Sequence, residues 1–213
     1  MRTGLVFLFV LLCSAVAMAG TIYDNGPVNG NLNSYAFDGQ FLHVSNTFTV
    51  AGGNSTITGI SIWVWIFPTD HNPTAEVSIT SQPNGGTVYF HQVVQFSQES
   101  NCYTDGFGLM ICQETANWIN GPALSNGTYW INLKNGSFPS GDKIFWDQNN
   151  GAGCQSSGCP SQARDSIGTI PSEAFTVLGS SGGQTEPTPQ TSRLLMFGGG
   201  FVWVVGMVRR SLR

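Results

Sequence analysis

Residues 57–67 read Ile57-Thr58-Gly59-Ile60-Ser61-Ile62-Trp63-Val64-Trp65-Ile66-Phe67. Ile60, Ile62, Val64 and Ile66 take one set of alternate positions, and Ser61, Trp63, Trp65 and Phe67 take the other. Successive side chains of a strand point to opposite faces. A period of two in β-branched and aromatic residues therefore predicts a strand with one aliphatic and one aromatic face. A helix would need apolar residues at i, i+3, i+4 and i+7. No helix-length stretch between the two ends of the chain has that spacing.

The alternation recurs on both sides of this segment. Phe41 to Val50, Val88 to Phe96 and Tyr129 to Lys134 follow it, with shorter candidates at Ala75–Thr80, Phe107–Cys112, Lys143–Asp147 and Glu173–Leu178. Between them lie Pro83-Asn84-Gly85-Gly86, Asn126-Gly127 and Asn135-Gly136, residues that tolerate positive φ in turns. About eight strands without intervening helices predict an all-β, antiparallel β-sandwich. A jelly-roll-like variant is the first expectation and a small barrel the second.

Charge is scarce: charged residues are 9% of the 213, against roughly a quarter in ordinary soluble domains. Between residues 20 and 192 the only bases are Lys134, Lys143 and Arg164. All twelve acids lie there, giving that stretch a net charge of −9. Such a body lacks the basic face that nucleic acid or anionic lipid requires, so neither is an expected partner.

The N-terminus has Arg2, an apolar run from Leu5 to Cys13, and Ala17-Met18-Ala19. This reads as a secretory signal peptide over residues 1–19, cut before Gly20 by signal peptidase. Leu12 stands where a lipoprotein signal before Cys13 wants a small residue. Export leaves Cys102, Cys112, Cys154 and Cys159, and the spacings favour the local bridges Cys102–Cys112 and Cys154–Cys159. A four-thiolate zinc site is the competing arrangement.

The sandwich domain is expected over residues 20–179. Residues 180–193 follow as a Gly/Ser/Pro linker. Residues 194–213 form a hydrophobic segment with a basic end at Arg209, Arg210 and Arg213. Its uncharged run, Leu194 to Val208, would span about 22 Å as a helix, short of a ~30 Å bilayer core. That suits transient membrane anchoring, with a plain transmembrane helix as the alternative. The basic end argues against a lipid-anchor signal.

Glu186-Pro187, the spacer, the apolar stretch and Arg209-Arg210 resemble the PEP-CTERM sorting tail of exported bacterial proteins. That family's motif is Pro-Glu-Pro, and Thr185 stands in place of the first proline. The resemblance implies handling by an exosortase-like processing enzyme, a membrane-anchored precursor and delivery to the surface of a Gram-negative bacterium that makes extracellular polysaccharide. Gly20 to Pro27, Gly127 to Leu133, Asp147 to Ser161 and Pro171 to Phe175 are similar to passenger domains of such proteins. That similarity implies localisation and fold rather than chemistry.

Motifs for chemistry are weak. Gly179-Ser180-Ser181-Gly182-Gly183 fits the G-x-S-x-G nucleophile pattern, but all three histidines precede it and a polar linker follows. His43, His71 and His91 lack metal-motif spacing. Asp147-Gln148-Asn149-Asn150-Gly151 begins like a calcium loop and then departs from the EF-hand pattern. Calcium is thus the one cofactor in view, without a motif to support it. Asp24, Asp38, Asp105 and Asp147 are expected in Asx-turns. Glu76, Glu99, Glu114 and Glu173 are the glutamates a glycosidase could use, but spacing does not pair them.

The expected function is a secreted or cell-surface, non-enzymatic protein associated with extracellular matrix or polysaccharide. A carbohydrate-binding module for neutral glycans is the alternative, with Trp63, Trp65, Phe67 and Trp130 as its stacking residues, and a secreted glycan hydrolase is the second alternative. Sugar C–H faces stack on the negative faces of aromatic rings. Burial of both strand faces, with loops covering the tryptophans, also satisfies the pattern and is the reading that the usual burial of Trp favours.

Overall fold

The computed structural model describes residues 19–182 apart from 32, 40 and 105–107. The hydrophobic segment at residues 194–213 lies outside the described residues. Among the described residues no helix is long and apolar enough to cross a membrane. They form strands β1 (Gly20–Asp24), β2 (Ser34–Ala36), β3 (His43–Val50), β4 (Ser55–Ile66), β5 (Thr74–Gln82), β6 (Gly85–Gln95) and β7 (Gln98–Thr104). The rest are β8 (Met110–Asn117), β9 (Ala123–Leu124), β10 (Gly127–Ser137), β11 (Phe145–Asp147), β12 (Ala163–Asp165), β13 (Thr169–Ile170) and β14 (Phe175–Ser181). The chain is all-β, and every strand pairing is antiparallel.

Two sheets result. The first is organised on β4, the segment whose alternation is clearest in the sequence. β14 and then β11 run along one edge of β4, and β9 and then β8 along the other. β1 lies outside β14, β2 outside β11 and β7 outside β8. The second sheet has the order β13-β12-β3-β10-β5-β6. Ile60, Ile62, Val64 and Ile66 of β4 share one core with Val44, Phe48, Val77, Ile79, Ile131 and Leu133 of the second sheet. The two aliphatic faces thus close on each other, and a sandwich-like arrangement follows from the period-two pattern.

Two expectations need correction. Val88 alternates with the core residues of β6 in the sequence, yet it is 59% exposed. Ile79 pairs with Phe90 but Thr80 pairs with Val88, leaving Tyr89 as an extra residue. This bulge reverses the faces beyond it. The linker also begins later than residue 180, because Ser180 and Ser181 still pair with Thr56 and Ser55. Gly179 to Ser181 is therefore strand, not a nucleophile elbow.

One end of the sandwich is closed by polar groups. Asn25 is fully buried. Its Oδ1 accepts from the Tyr23 hydroxyl at 3.0 Å and from the Ser161 N–H at 2.9 Å. Its Nδ2 donates to Ser161 Oγ at 3.0 Å, Ser172 Oγ at 2.6 Å and the Glu173 carbonyl at 2.5 Å. Asn149 Nδ2 donates to the Asn25 carbonyl. Gly26, at φ 88°, follows in the left-handed region, and a Cβ there would sit 2.1 Å from the Ala152 carbonyl oxygen. Only glycine fits that approach.

Asn25→Ala would leave the Ser161 and Ser172 hydroxyls, the Glu173 carbonyl and the Ser161 N–H short of partners. A loss of about 2–4 kcal/mol in unfolding free energy is expected. Urea denaturation at fixed pH measures it. A change within the scatter of surface substitutions would remove Asn25 from its structural role.

Candidate functional site

The outer face of the second sheet carries a pocket of about 380 Å³ lined by Pro83, Trp130, Ser161, Gln162, Ala163, Arg164, Thr169 and Ile170. Trp130 projects from it because Tyr129 and Ile131 are committed to the inner face. Thr47 and Thr80 flank Trp130 in register on the neighbouring strands. The floor beside it is built on the buried Asn132. Its Oδ1 accepts from Ser45 Oγ at 2.8 Å and the Asn84 N–H at 2.7 Å. Its Nδ2 donates to Ser78 Oγ at 3.2 Å and Thr80 Oγ1 at 2.8 Å. All four hydrogen-bonding positions of this amide are filled. The bond to Asn84 holds the β5–β6 turn, and with it Pro83, down as one wall.

The opposite wall is residues 161–164. The Gln162 carbonyl accepts from the Thr47 N–H at 2.9 Å, and the Gln162 N–H donates to Thr47 Oγ1 at 2.7 Å. The Cys154–Cys159 loop lies alongside: a Cβ on Gly158 would fall 2.3 Å from Thr49 Oγ1. Arg164 is exposed. Lys134 pairs with Glu76 at 2.8 Å and Lys143 approaches Asp38 at 4.0 Å. Among the described residues Arg164 is the cation without an acidic partner, and no acid lines the pocket.

Trp63, Trp65 and Phe67 occupy the outer side of the first sheet, opposite their aliphatic neighbours. Both tryptophans are half-buried and Phe67 is 46% exposed. Tyr103 lies 6.3 Å from Trp63 and Phe145 lies 6.1 Å from Trp65, centroid to centroid. The Trp65 indole N–H faces the buried Asp147 carboxylate without closing to a full hydrogen bond. The stripe is thus lateral, continuous over β4 and β11, and uncovered at Phe67. Trp130 belongs to the other sheet, so the four sequence-selected aromatics form two separate surfaces.

The cysteines pair as Cys102–Cys112, at 2.06 Å, and Cys154–Cys159, at 1.96 Å. This rules out the four-thiolate arrangement, because each sulfur is bonded to another. Glu99 lies near Cys102 and Cys112, but these sulfurs are not thiolates. Glu186, Pro187, Arg209 and Arg210 lie outside the described residues.

The glutamates do not make one site. Glu76 bonds Lys134, His91 and Asn135 on the second sheet. Its partial burial opposes ionisation, but these three donors prevail and hold its carboxyl at about 2. Glu99 and Glu114 are directly paired across β7 and β8. Glu114 is fully buried and neither of its carboxylate oxygens has a hydrogen-bond partner among the described residues, so it is not an open carboxyl facing substrate. Burial first, and the Glu99 charge second, push Glu114 up to about 7. His71 bonds Glu99 at 3.0 Å, which raises the imidazole pKa. Glu173 is fully buried and pushed well upward by burial, with Asp147 and Asp165 adding to the effect.

The calcium-like loop uses its side chains within the protein. Asp147 Oδ1 accepts from the Gln148 N–H at 2.9 Å, Asn149 Oδ1 accepts from Gly151 at 2.8 Å, and Asn149 Nδ2 holds Asn25. Asp24 closes an Asx-turn onto the Gly26 N–H at 2.8 Å. The pocket residues Gln162, Arg164 and Pro83 escape the sequence pattern. The one signal available was that Arg164 is one of three bases in the body. Comparison of the sequence with protein-family models and with curated proteins gave no significant match to either.

The buried acids set a pH dependence. Burial pushes Asp147 up to about 7 from an ordinary 3.8, against help from Trp65 and Gln148, and Glu114 moves to about 7 from 4.5. Between those values the folded chain keeps protons that the unfolded chain has released. Stability therefore falls as pH rises from about 4 to about 7, by up to ~1.4 kcal/mol per pH unit for each group. Glu173 carries the fall higher. Glu76 acts oppositely: its contribution is present above about 4.5 and is lost as pH falls toward 2. Maximum stability is expected near pH 4–5 by urea titration, and Glu114→Gln should flatten the slope between pH 5 and 7. An unchanged slope in that variant would show that Glu114 ionises normally.

Proposed function

We propose that the chain is an exported, non-enzymatic cell-surface or matrix protein that holds neutral polysaccharide along the Trp63, Trp65 and Phe67 stripe. The observation that carries this reading is the placement of three aromatics side by side on an outer sheet face, where a core function would have turned them inward. A soluble monomer seldom presents such a surface without a use. Stacking on aromatic faces needs no charge on the ligand, so the stripe suits neutral chains.

Two disulfide pairs support residence in an oxidising compartment. β1 starts at Gly20, directly after the expected signal-peptidase site, which supports cleavage there. We read the tail as a sorting signal, with Glu186-Pro187 and Arg209-Arg210 recognised by an exosortase-like enzyme in a Gram-negative host. The sandwich is read as jelly-roll-like. The support is that β3–β10 and β4–β14 join strands far apart in sequence, while β5–β6 is a hairpin.

Titration with neutral oligosaccharides should quench tryptophan fluorescence. Trp63→Ala should weaken binding roughly threefold to tenfold while the far-ultraviolet spectrum stays unchanged. If no neutral glycan perturbs the wild type and Trp63→Ala unfolds, the stripe is structural. Intact-mass measurement on protein from the native host should give an N-terminus at Gly20 and a chain lacking Arg209 and Arg210. An intact C-terminus in the membrane fraction would mean a permanent anchor.

A further inference from the structure

We propose that the pocket beside Trp130 binds a carboxylate-bearing sugar residue of the uronic-acid kind, with the ring against Trp130 and the carboxylate on Arg164. Three observations converge on it. The pocket is a half-open depression of about 380 Å³, at the lower end of the ~300–1,000 Å³ range of small-ligand sites, a size for a short sugar segment. Its wall carries the indole of Trp130, an apolar and electron-rich surface suited to a pyranose C–H face. It also carries a guanidinium with no acidic partner among the described residues.

The chemistry of Arg164 selects the ligand class. A planar guanidinium presents parallel N–H donors that match the two oxygens of a carboxylate. Gln162 and Thr169 add neutral donors and acceptors for ring hydroxyls. The overall charge of −9 does not oppose this locally, because no acid lines the pocket and exposed charges are screened beyond about 8 Å at physiological salt. The walls are also fixed before any ligand arrives. Pro83 is held through Asn84 and Asn132, and residues 161–162 through Thr47 and Asn25. Preorganisation of this kind reduces the ordering cost of binding.

This site lies on the opposite sheet from the Trp63 stripe, so it stands or falls separately from the proposed function. Isothermal titration calorimetry of the full mature protein with tetragalacturonic acid, and with its methyl ester as the uncharged control, tests it. The free acid is expected to bind and the ester to bind about tenfold to a hundredfold more weakly, as loss of a charge-assisted hydrogen bond implies. Arg164→Gln should lose the preference for the acid. Arg164 is exposed, so this variant is expected to fold, and its urea midpoint verifies that. Trp130→Phe should retain part of the binding. Equal affinity for acid and ester, no binding of the acid, or undiminished binding by a folded Arg164→Gln would each overturn the proposal.

Discussion

A single buried amide, that of Asn25, ties together parts of the chain that the sheets alone would leave separate. β1 delivers it to the end of the sandwich, where it meets Ser161, at the end of the disulfide loop, and Ser172 and Glu173, just before β14. Ser161 Oγ continues the network to Asn46 Oδ1 at 2.9 Å, so β3 of the second sheet joins as well. In a low-dielectric interior each of these bonds is stronger than in water, and each missing partner is correspondingly costly. The long irregular segment from Asn149 to Gln162 therefore has a defined position although strand pairing does not fix it. The residue after Ser161 is the first to contact Thr47 on the outer sheet face, so the pocket wall inherits its placement from this amide.

The two outer faces are finished in different ways. On the first sheet the aromatic positions of β4 meet Phe145 and Tyr103 at tilted angles, giving a hydrophobic stripe. On the second sheet Ser45, Thr47, Thr80 and Asn132 are buried although they point away from the core. They are covered by the β5–β6 turn and the segment around β12: Ser45 and Thr80 bond Asn132, and Thr47 Oγ1 accepts from the Gln162 N–H. A polar layer of this sort adds little net stability per bond, but its directionality fixes the two covering segments. That converts an open sheet face into a walled depression, which an aliphatic layer would not orient so closely.

Much of this was legible in the sequence where packing follows from period alone. The alternation of β3, β4 and β10 marks their inward residues because both neighbours of each strand impose the same period, whereas Ala75–Thr80 is legible only as a strand. β6 failed at Val88 because a bulge needs only one extra residue, and nothing in Val88-Tyr89-Phe90 marks it. β2, β12 and β13 are two or three residues long and owe their extended form to neighbours rather than to propensity. The cysteine pairs were legible from spacing. The stripe was legible as a shared face, but the separation of Trp130 from it was not, because sheet membership is set by tertiary pairing. Glu99 and Glu114 are fifteen positions apart and meet only because β7 folds back on β8 with a register shift between Ser100 and Tyr103.

The distribution of charge completes the physical picture. Among the described residues Glu114, Asp147 and Glu173 form no salt bridge with a lysine or arginine, the His71 charge only partly offsets the burial of Glu114, and burial drives each acid toward the neutral form. A chain with three bases in its body had an evident use for any of them beside these acids, where a cation would offset the desolvation of a carboxylate. Lys134 instead lies at the surface with Glu76, and Lys143 near Asp38. Among the described residues Arg164 pairs with no acid, and it lies on the wall of a depression whose other members are neutral. Among the described residues no acid holds the guanidinium there, and we read its place on a wall shared with Trp130 as a seat for the carboxylate proposed above.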